Sequence, residues 1–284
     1  MSKTYFVDIS WTFDGGKRGR KKMHVAYDGE KLRKITTLMS LEDASEIYID
    51  SLNSKIYDDL LTLLRQGVKV YLVRKLRLIK EFRDKFKMKK NDENDAIVLS
   101  LMPKDAFRPV TLEEVEIKAS LHPFIQKWVS LSKRLKTLKR WESDGFESKL
   151  LPLFKKELER EKDRLEKEIM RIAREKIEMY RWAEEELGLH GASLARLLLY
   201  VDFSKGLRKI KNFIQGNKNA REALTSLAFA VYSNARQGRG PEKYLNYIKS
   251  YEGIKAEDAI KKLRFMIIKD LRKLWCKHNE GRSI

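Results

Sequence analysis

The hydrophobic period of this chain changes once, and that change constrains the fold more than any other feature. Up to Pro109 the apolar runs are short and alternate. Thr4 to Ser10 (TYFVDIS), Lys22 to Tyr27, Leu32 to Leu38, Glu46 to Asp50 (EIYID) and Val68 to Val73 (VKVYLV) are rich in β-branched and aromatic residues and read as strands. Past Pro109, Phe124, Trp128, Leu131, Leu135 and Leu138 recur at steps of four and three, and Leu158, Leu165, Ile172 and Met179 recur every seven. That spacing belongs to long helices. A mixed α/β unit at the front followed by helices is what the pattern predicts.

Turn residues place the strands in order. Asp14-Gly15-Gly16 and Asp28-Gly29 tolerate positive φ and close a meander of three strands. The stretch Asn53 to Gln66 carries Ile56, Leu60, Leu61, Leu63 and Leu64 at helical spacing before Gly67, so a helix crosses from the Glu46–Asp50 strand to the Val68–Val73 strand. The last strands are then expected to be parallel through a right-handed crossover. Asp144-Gly145-Phe146 marks the turn of an antiparallel helix pair over 109–187. From 188 to 284 glycines at 191, 206, 216, 238, 240 and 253 predict short helices in a compact terminal domain. The expected division is therefore 1–108, 109–187 and 188–284.

Charge sets the class of partner. The 284 residues hold 61 Lys+Arg against 41 Asp+Glu, a formal charge of +20, which attracts polyanions at long range. No run of about 18 apolar residues and no basic-then-apolar start is present, so no membrane association is expected and the chain reads as cytoplasmic, nucleoid-associated if it binds DNA. Cys276 stands alone, and the four histidines (24, 122, 190 and 278) form no zinc spacing, which argues against disulfide and structural zinc alike.

Four carboxylates form the candidate site. Asp8 interrupts an apolar strand, where an unpaired carboxylate is costly. Asp50 closes another, and Asp92 and Asp95 stand three apart at a helix start, NDENDAIVLSLM, so they project from nearly one face. Acids gathered at one sheet end repel unless a cation neutralises them, and such oxygen donors suit Mg²⁺ or Mn²⁺. Two ions would activate water and stabilise the leaving oxygen in phosphodiester cleavage. The plain alternative is that Asp92 and Asp95 favour the positive end of a helix dipole and that Asp8 begins a turn.

The order of these acids resembles the RuvC-like branch of the RNase H fold, and more closely the DEDD transposases of insertion sequences. That family's Lys-Thr-Asp-x-x-Asp-Ala is matched in frame by Lys90-Asn91-Asp92-Glu93-Asn94-Asp95-Ala96, and its Gly-Asn-x-x-x-Arg-x-x-Leu by Gly216-Asn217 through Arg221 to Leu224. Leu189-His190-Gly191 also resembles its Gly-rich helix-hairpin-helix-like element, and the coiled coil after the first domain is a family habit. The resemblance implies an RNase H-like (RuvC-like) N-terminal domain, a coiled-coil helix pair and an all-α C-terminal domain. It also implies a metal-dependent nuclease of a mobile element with Asp8, Asp50, Asp92 and Asp95 as ligands. Two departures stand out. Asp50 replaces the family's usual Glu, with Glu46 as fallback on the same strand face, and the nucleophilic Ser-Gly segment is missing, Ser204 being the nearest serine.

For nucleic acid, DNA or RNA, the candidate contacts are Lys17 and Arg18 in the first hairpin, Lys90 beside the helix acids, and Lys205, Arg208, Lys209, Lys211, Lys218 and Arg221 around Phe213. The competing reading is a non-catalytic DNA/RNA-binding protein descended from such a transposase. A homodimer through an exposed heptad face is the other partner to weigh, although the intramolecular helix pair explains the same pattern.

Overall fold

A computed structural model describes residues 3–10, 23–146, 148, 150–250 and 255–280. The expected Asp14-Gly15-Gly16 turn, with Lys17 and Arg18, lies outside the described residues. The chain divides into two units, 1–119 and 120–284.

Unit 1 is a mixed α/β fold. Its strands are β1 (Lys3–Asp8), β2 (His24–Tyr27), β3 (Leu32–Ile35), β4 (Ala44–Ile49), β5 (Lys69–Val73) and β6 (Phe107–Pro109). They form one sheet in the order β3-β2-β1-β4-β5-β6. β1, β4 and β5 are parallel, while β2, β3 and β6 each run antiparallel to a neighbour. Helix α1 (Tyr57–Arg65) supplies the expected crossover from β4 to β5, and Gly67 at φ +86° ends it in the left-handed conformation that a Cβ would strain.

Strand alternation explains the layering. Tyr5 and Val7 of β1, Ile47 and Ile49 of β4 and Val70 of β5 bury one face with Leu60 and Leu63 of α1. Phe6, Tyr48, Tyr71 and Val73 face the other way, onto Ile79 of α2 (Arg77–Lys85) and Val98 and Leu99 of α3 (Asp92–Leu101). Across that second face Phe6 stacks on Tyr48 at 5.1 Å and Tyr48 on Tyr71 at 4.7 Å, an aromatic ladder worth about 0.5–1.5 kcal/mol per pair beyond the area it buries. α3 packs on β1 and β2.

Two local outcomes differ from expectation. β3 stops at Ile35 rather than Leu38, because the Thr37 hydroxyl accepts a bond from the Met39 amide and starts a 3-10 turn, Leu38–Ser40. β6 was not expected: Phe107, Arg108 and Pro109 pair with Val73, Leu72 and Tyr71, and a proline is tolerated there because the strand lies at the sheet's edge.

Unit 2 is helical. α4 (Leu112–Ser143) begins in unit 1 and continues into it, followed by α5 (Leu151–Lys176), α6 (Glu178–Leu187), α7 (Ala192–Tyr200), α8 (Leu207–Gly216), α9 (Lys218–Arg236), α10 (Glu242–Lys249) and α11 (Ala256–Asn279). The α4–α5 pair is antiparallel. Lys127 binds Glu161, Trp128 donates to Glu166, and near the hairpin end Lys155 binds Glu142. Gly145 at φ +80° makes the turn.

The heptad that runs through Met179 does not continue as one helix. Ile177 is extended, at φ −120° and ψ 102°, and α6 starts beyond it. The terminal helices also exceed the short lengths the glycines suggested, since α9 has 19 residues and α11 has 24. α7, α9 and α11 share a core of Leu194, Leu197, Leu224, Leu227, Ile267 and Leu271. The Asn217 side chain accepts from the Ala220 amide at 3.0 Å, so the Gly-Asn signal marks an N-cap.

Candidate functional site

The sheet register brings two of the four acids together. Val7 pairs with Ile49 across the parallel β1–β4 ladder, so Asp8 and Asp50 are the next residues on strands about 4.8 Å apart. Asp50 Oδ1 accepts the Ile9 amide at 2.8 Å, which fixes the carboxylate one residue from Asp8. Both acids continue the alternation of Phe6 and Tyr48, and so belong to the face covered by α3. Burial pushes the Asp50 carboxyl up to about 6, against the lowering effect of the Ile9 amide.

α3 brings its first turn to the same end of that face. Asp8 pairs with Val25, and Val25 with Lys34, in one row across β1, β2 and β3. Lys34 Nζ lies 3.1 Å from Glu93 Oε1 at the start of α3. The Asn91 side chain caps the helix by accepting the Asn94 amide at 2.6 Å, and Asp92 and Asp95 occupy its first turn, where their charge suits the helix dipole.

Asp95 is already engaged. Arg83 of α2 donates to both of its oxygens at 2.6 Å, with the two side chains only 11% and 16% exposed. Among the described residues no three His, Cys, Asp or Glu side chains gather closely enough to hold a metal ion. Asp8 and Asp50 are the residues that could hold a hard divalent cation, at a strand end where the Asp50 carboxylate is partly buried. The four-acid set is not assembled around it.

The fallback acid stands apart. Glu46 shares the face of Asp50 but lies four residues earlier on β4, about 13 Å away along the strand, and accepts the Tyr48 hydroxyl at 3.3 Å. His24 belongs to neither group. Its Nδ1 accepts the Ser10 amide at 3.0 Å, and burial lowers its pKa.

The basic candidates divide. Lys90 is exposed just before the α3 cap. In unit 2, Lys205 pairs with Asp202 at 3.5 Å, Lys218 reaches Glu222 at 4.0 Å, and Arg221 donates to the Gln215 carbonyl at 2.7 Å. Arg208, Lys209 and Lys211 form no ion pair among the described residues. Ser204 donates its amide to Asp202 in a local turn. The sequence reading missed one basic feature, the segment 74–90, which holds nine Lys/Arg and two acids and begins at the C-terminal end of β5. Its charge density was a signal in plain view, but α2 hid it, because Leu78, Ile79 and Phe82 read as an ordinary amphipathic helix.

No family model and no curated protein matches the chain.

Proposed function

We propose that unit 1 is an RNase H-like domain of the DEDD transposase type, a metal-dependent nuclease that acts on DNA. One observation carries this reading: the order β3-β2-β1-β4-β5, in which only β2 runs against the other four, ends two adjacent parallel strands in Asp8 and Asp50. Ligands of open α/β sheets collect outside the carboxyl ends of parallel strands. Asp8 and Asp50 would hold Mg²⁺ or Mn²⁺, which when bound supplies a lowered-pKa water and charge neutralisation for phosphodiester hydrolysis. The chain's own part is to fix the Asp50 oxygen through the Ile9 amide and to draw a phosphate backbone toward this end with the cations of 74–90.

A second reading, a nucleic-acid-binding protein without catalysis, is favoured by the Arg83–Asp95 fork, which supplies internally the positive charge that a metal would otherwise bring. The test is cleavage of single-stranded and branched DNA in Mn²⁺ by the full chain and by the variants Asp8→Asn, Asp50→Asn and Asp92→Asn. Cleavage lost in Asp8→Asn and Asp50→Asn supports the nuclease. Cleavage unchanged in both removes it, and binding without cleavage in the unaltered chain selects the second reading.

A further inference from the structure

We propose that the α8–α11 face of unit 2 is a binding surface for single-stranded nucleic acid, independent of the acidic sheet end of unit 1. The outward stripe of α11 carries Lys261, Phe265 and Lys269, at the i, i+4 and i+8 spacing that puts them on one side of a helix, with Lys262 beside the first of them. The buried stripe, Leu263, Ile267, Leu271 and Leu274, faces the opposite way. The outward residues line an open groove of about 740 Å³, with Tyr247 of α10 across from them and Asp258 at one end.

α8 completes the face. Lys211 Nζ sits 3.6 Å from the centroid of the Phe265 ring, and Arg208 lies one turn before Lys211 on the same stripe. Phe265 nevertheless remains 42% exposed. The Lys211 ammonium covers part of one face and leaves the side chain partly open to solvent.

Charge and shape together select the occupant. α8 carries Arg208, Lys209 and Lys211 and no carboxylate, and α11 carries seven Lys/Arg against three Asp/Glu. Of the cations on this face, Arg208, Lys211, Lys261 and Lys269 form no ion pair among the described residues. A groove edged by Lys261 and Lys269, which form no ion pair among the described residues, and floored by an exposed aromatic side chain matches the two needs of an unpaired strand, phosphate neutralisation and a flat partner for a base. A duplex offers the phosphates but keeps its bases stacked internally, so Phe265 would gain nothing from it.

The experiment is fluorescence anisotropy of a labelled oligodeoxythymidylate of about 20 nucleotides with the full chain at low salt in EDTA, with an oligouridylate and a blunt duplex as further arms. The unaltered chain binds the single strands more tightly than the duplex. Phe265→Ala weakens single-strand binding about tenfold, and Phe265→Tyr restores it. Lys261→Gln with Lys269→Gln reduces the salt slope by about 1.4, near 0.7 per lost contact. Lys127→Gln, which removes a cation already paired with Glu161, leaves binding unchanged and separates local from total charge.

Equal affinity for duplex and single strand, with no effect of Phe265→Ala, overturns the proposal. It also fails if Phe265→Ala abolishes self-association in sedimentation while leaving oligonucleotide binding intact, for the face would then join two copies of the chain. Asp50→Asn retains the EDTA-resistant binding, so the loss of nuclease activity and the loss of this surface are separately visible.

Discussion

Along α5, nine Lys/Arg are interleaved with seven Asp/Glu. Lys155 reaches Glu142, Lys162 reaches Glu166, Arg171 reaches both Glu168 and Glu175, and Arg174 reaches Glu184. On α8, Arg208, Lys209 and Lys211 meet no carboxylate at all among the described residues. Both regions look basic in composition, yet four of the α5 cations are held by carboxylates, within the helix or on a neighbouring one, whereas α8 leaves its cations without an acid partner among the described residues. Paired charge should therefore be read out as stability that responds to pH, and unpaired charge as affinity that responds to salt.

The paired extreme gives the largest expected effect. Arg108 of β6 donates to both oxygens of Glu114 at 2.7 and 2.8 Å, and Lys118 donates to one of them at 2.6 Å. Burial would raise the Glu114 carboxyl, but these two cations outweigh it and hold it down at about 2. The folded-state value lies below the unfolded one, so the stabilisation is fully present above the usual glutamate range, about 4.5, and is lost as pH falls through about 2. Glu114→Gln is expected to cost roughly 3 kcal/mol at neutral pH in urea unfolding, with the gap to the unaltered chain closing between about pH 4.5 and about pH 2. A gap that stays constant across that window would show that the cost comes from packing and not from charge.

The Arg83–Asp95 fork lies between the two extremes, being a pair on the very helix that carries candidate ligands. Arg83→Met leaves the Asp95 carboxylate without its guanidinium and is expected to lower stability by about 2 kcal/mol, while the double variant with Asp95→Asn recovers most of that loss. Divalent cation sharpens the comparison. If Asp95 can join Asp8 and Asp50, Mn²⁺ should raise the melting temperature of Arg83→Met more than that of the unaltered chain, because the cation replaces the charge that was removed. An equal Mn²⁺ shift in both proteins would mark the fork as structural only.

How much of this was legible in the sequence follows from the range of each interaction. TYFVDIS announced β1 because strand alternation and β-branched residues are local properties, and Asn217 announced a cap for the same reason. β6 was not legible, since three residues ending in proline carry no periodicity and owe their conformation to pairing with Tyr71, Leu72 and Val73 more than thirty positions away. The break at Ile177 had no glycine or proline to signal it, and the heptad pattern ran straight across.

The site divides along the same line. Asp50 could be placed at a strand end from pattern alone, whereas Asp8 was read inside a strand that in fact closes on it, and that Arg83 claims Asp95 is a contact between two helices that no spacing rule encodes. Charge pairing within α5 at i, i+4, as in Arg171–Glu175, was readable. The pairing of Lys127 with Glu161 across the hairpin was not.

The smallest effect makes the sharpest separation between the two regions. Lys127 is paired and 58% exposed in its side chain, a surface bridge of the kind worth about 0.2–1 kcal/mol. Lys127→Gln should lower stability within that range, and the loss should shrink as salt screens the pair. Lys269 lies exposed on α11 and forms no ion pair among the described residues, so Lys269→Gln should leave the unfolding midpoint unchanged and instead lower the slope of log K against log salt for a single-stranded oligonucleotide by about 0.7. Measured side by side, the two lysines should each move one observable and not the other. If Lys269→Gln proves the more destabilising of the two, its charge is holding the helix in place after all, and the contrast between α5 and the α8–α11 face disappears.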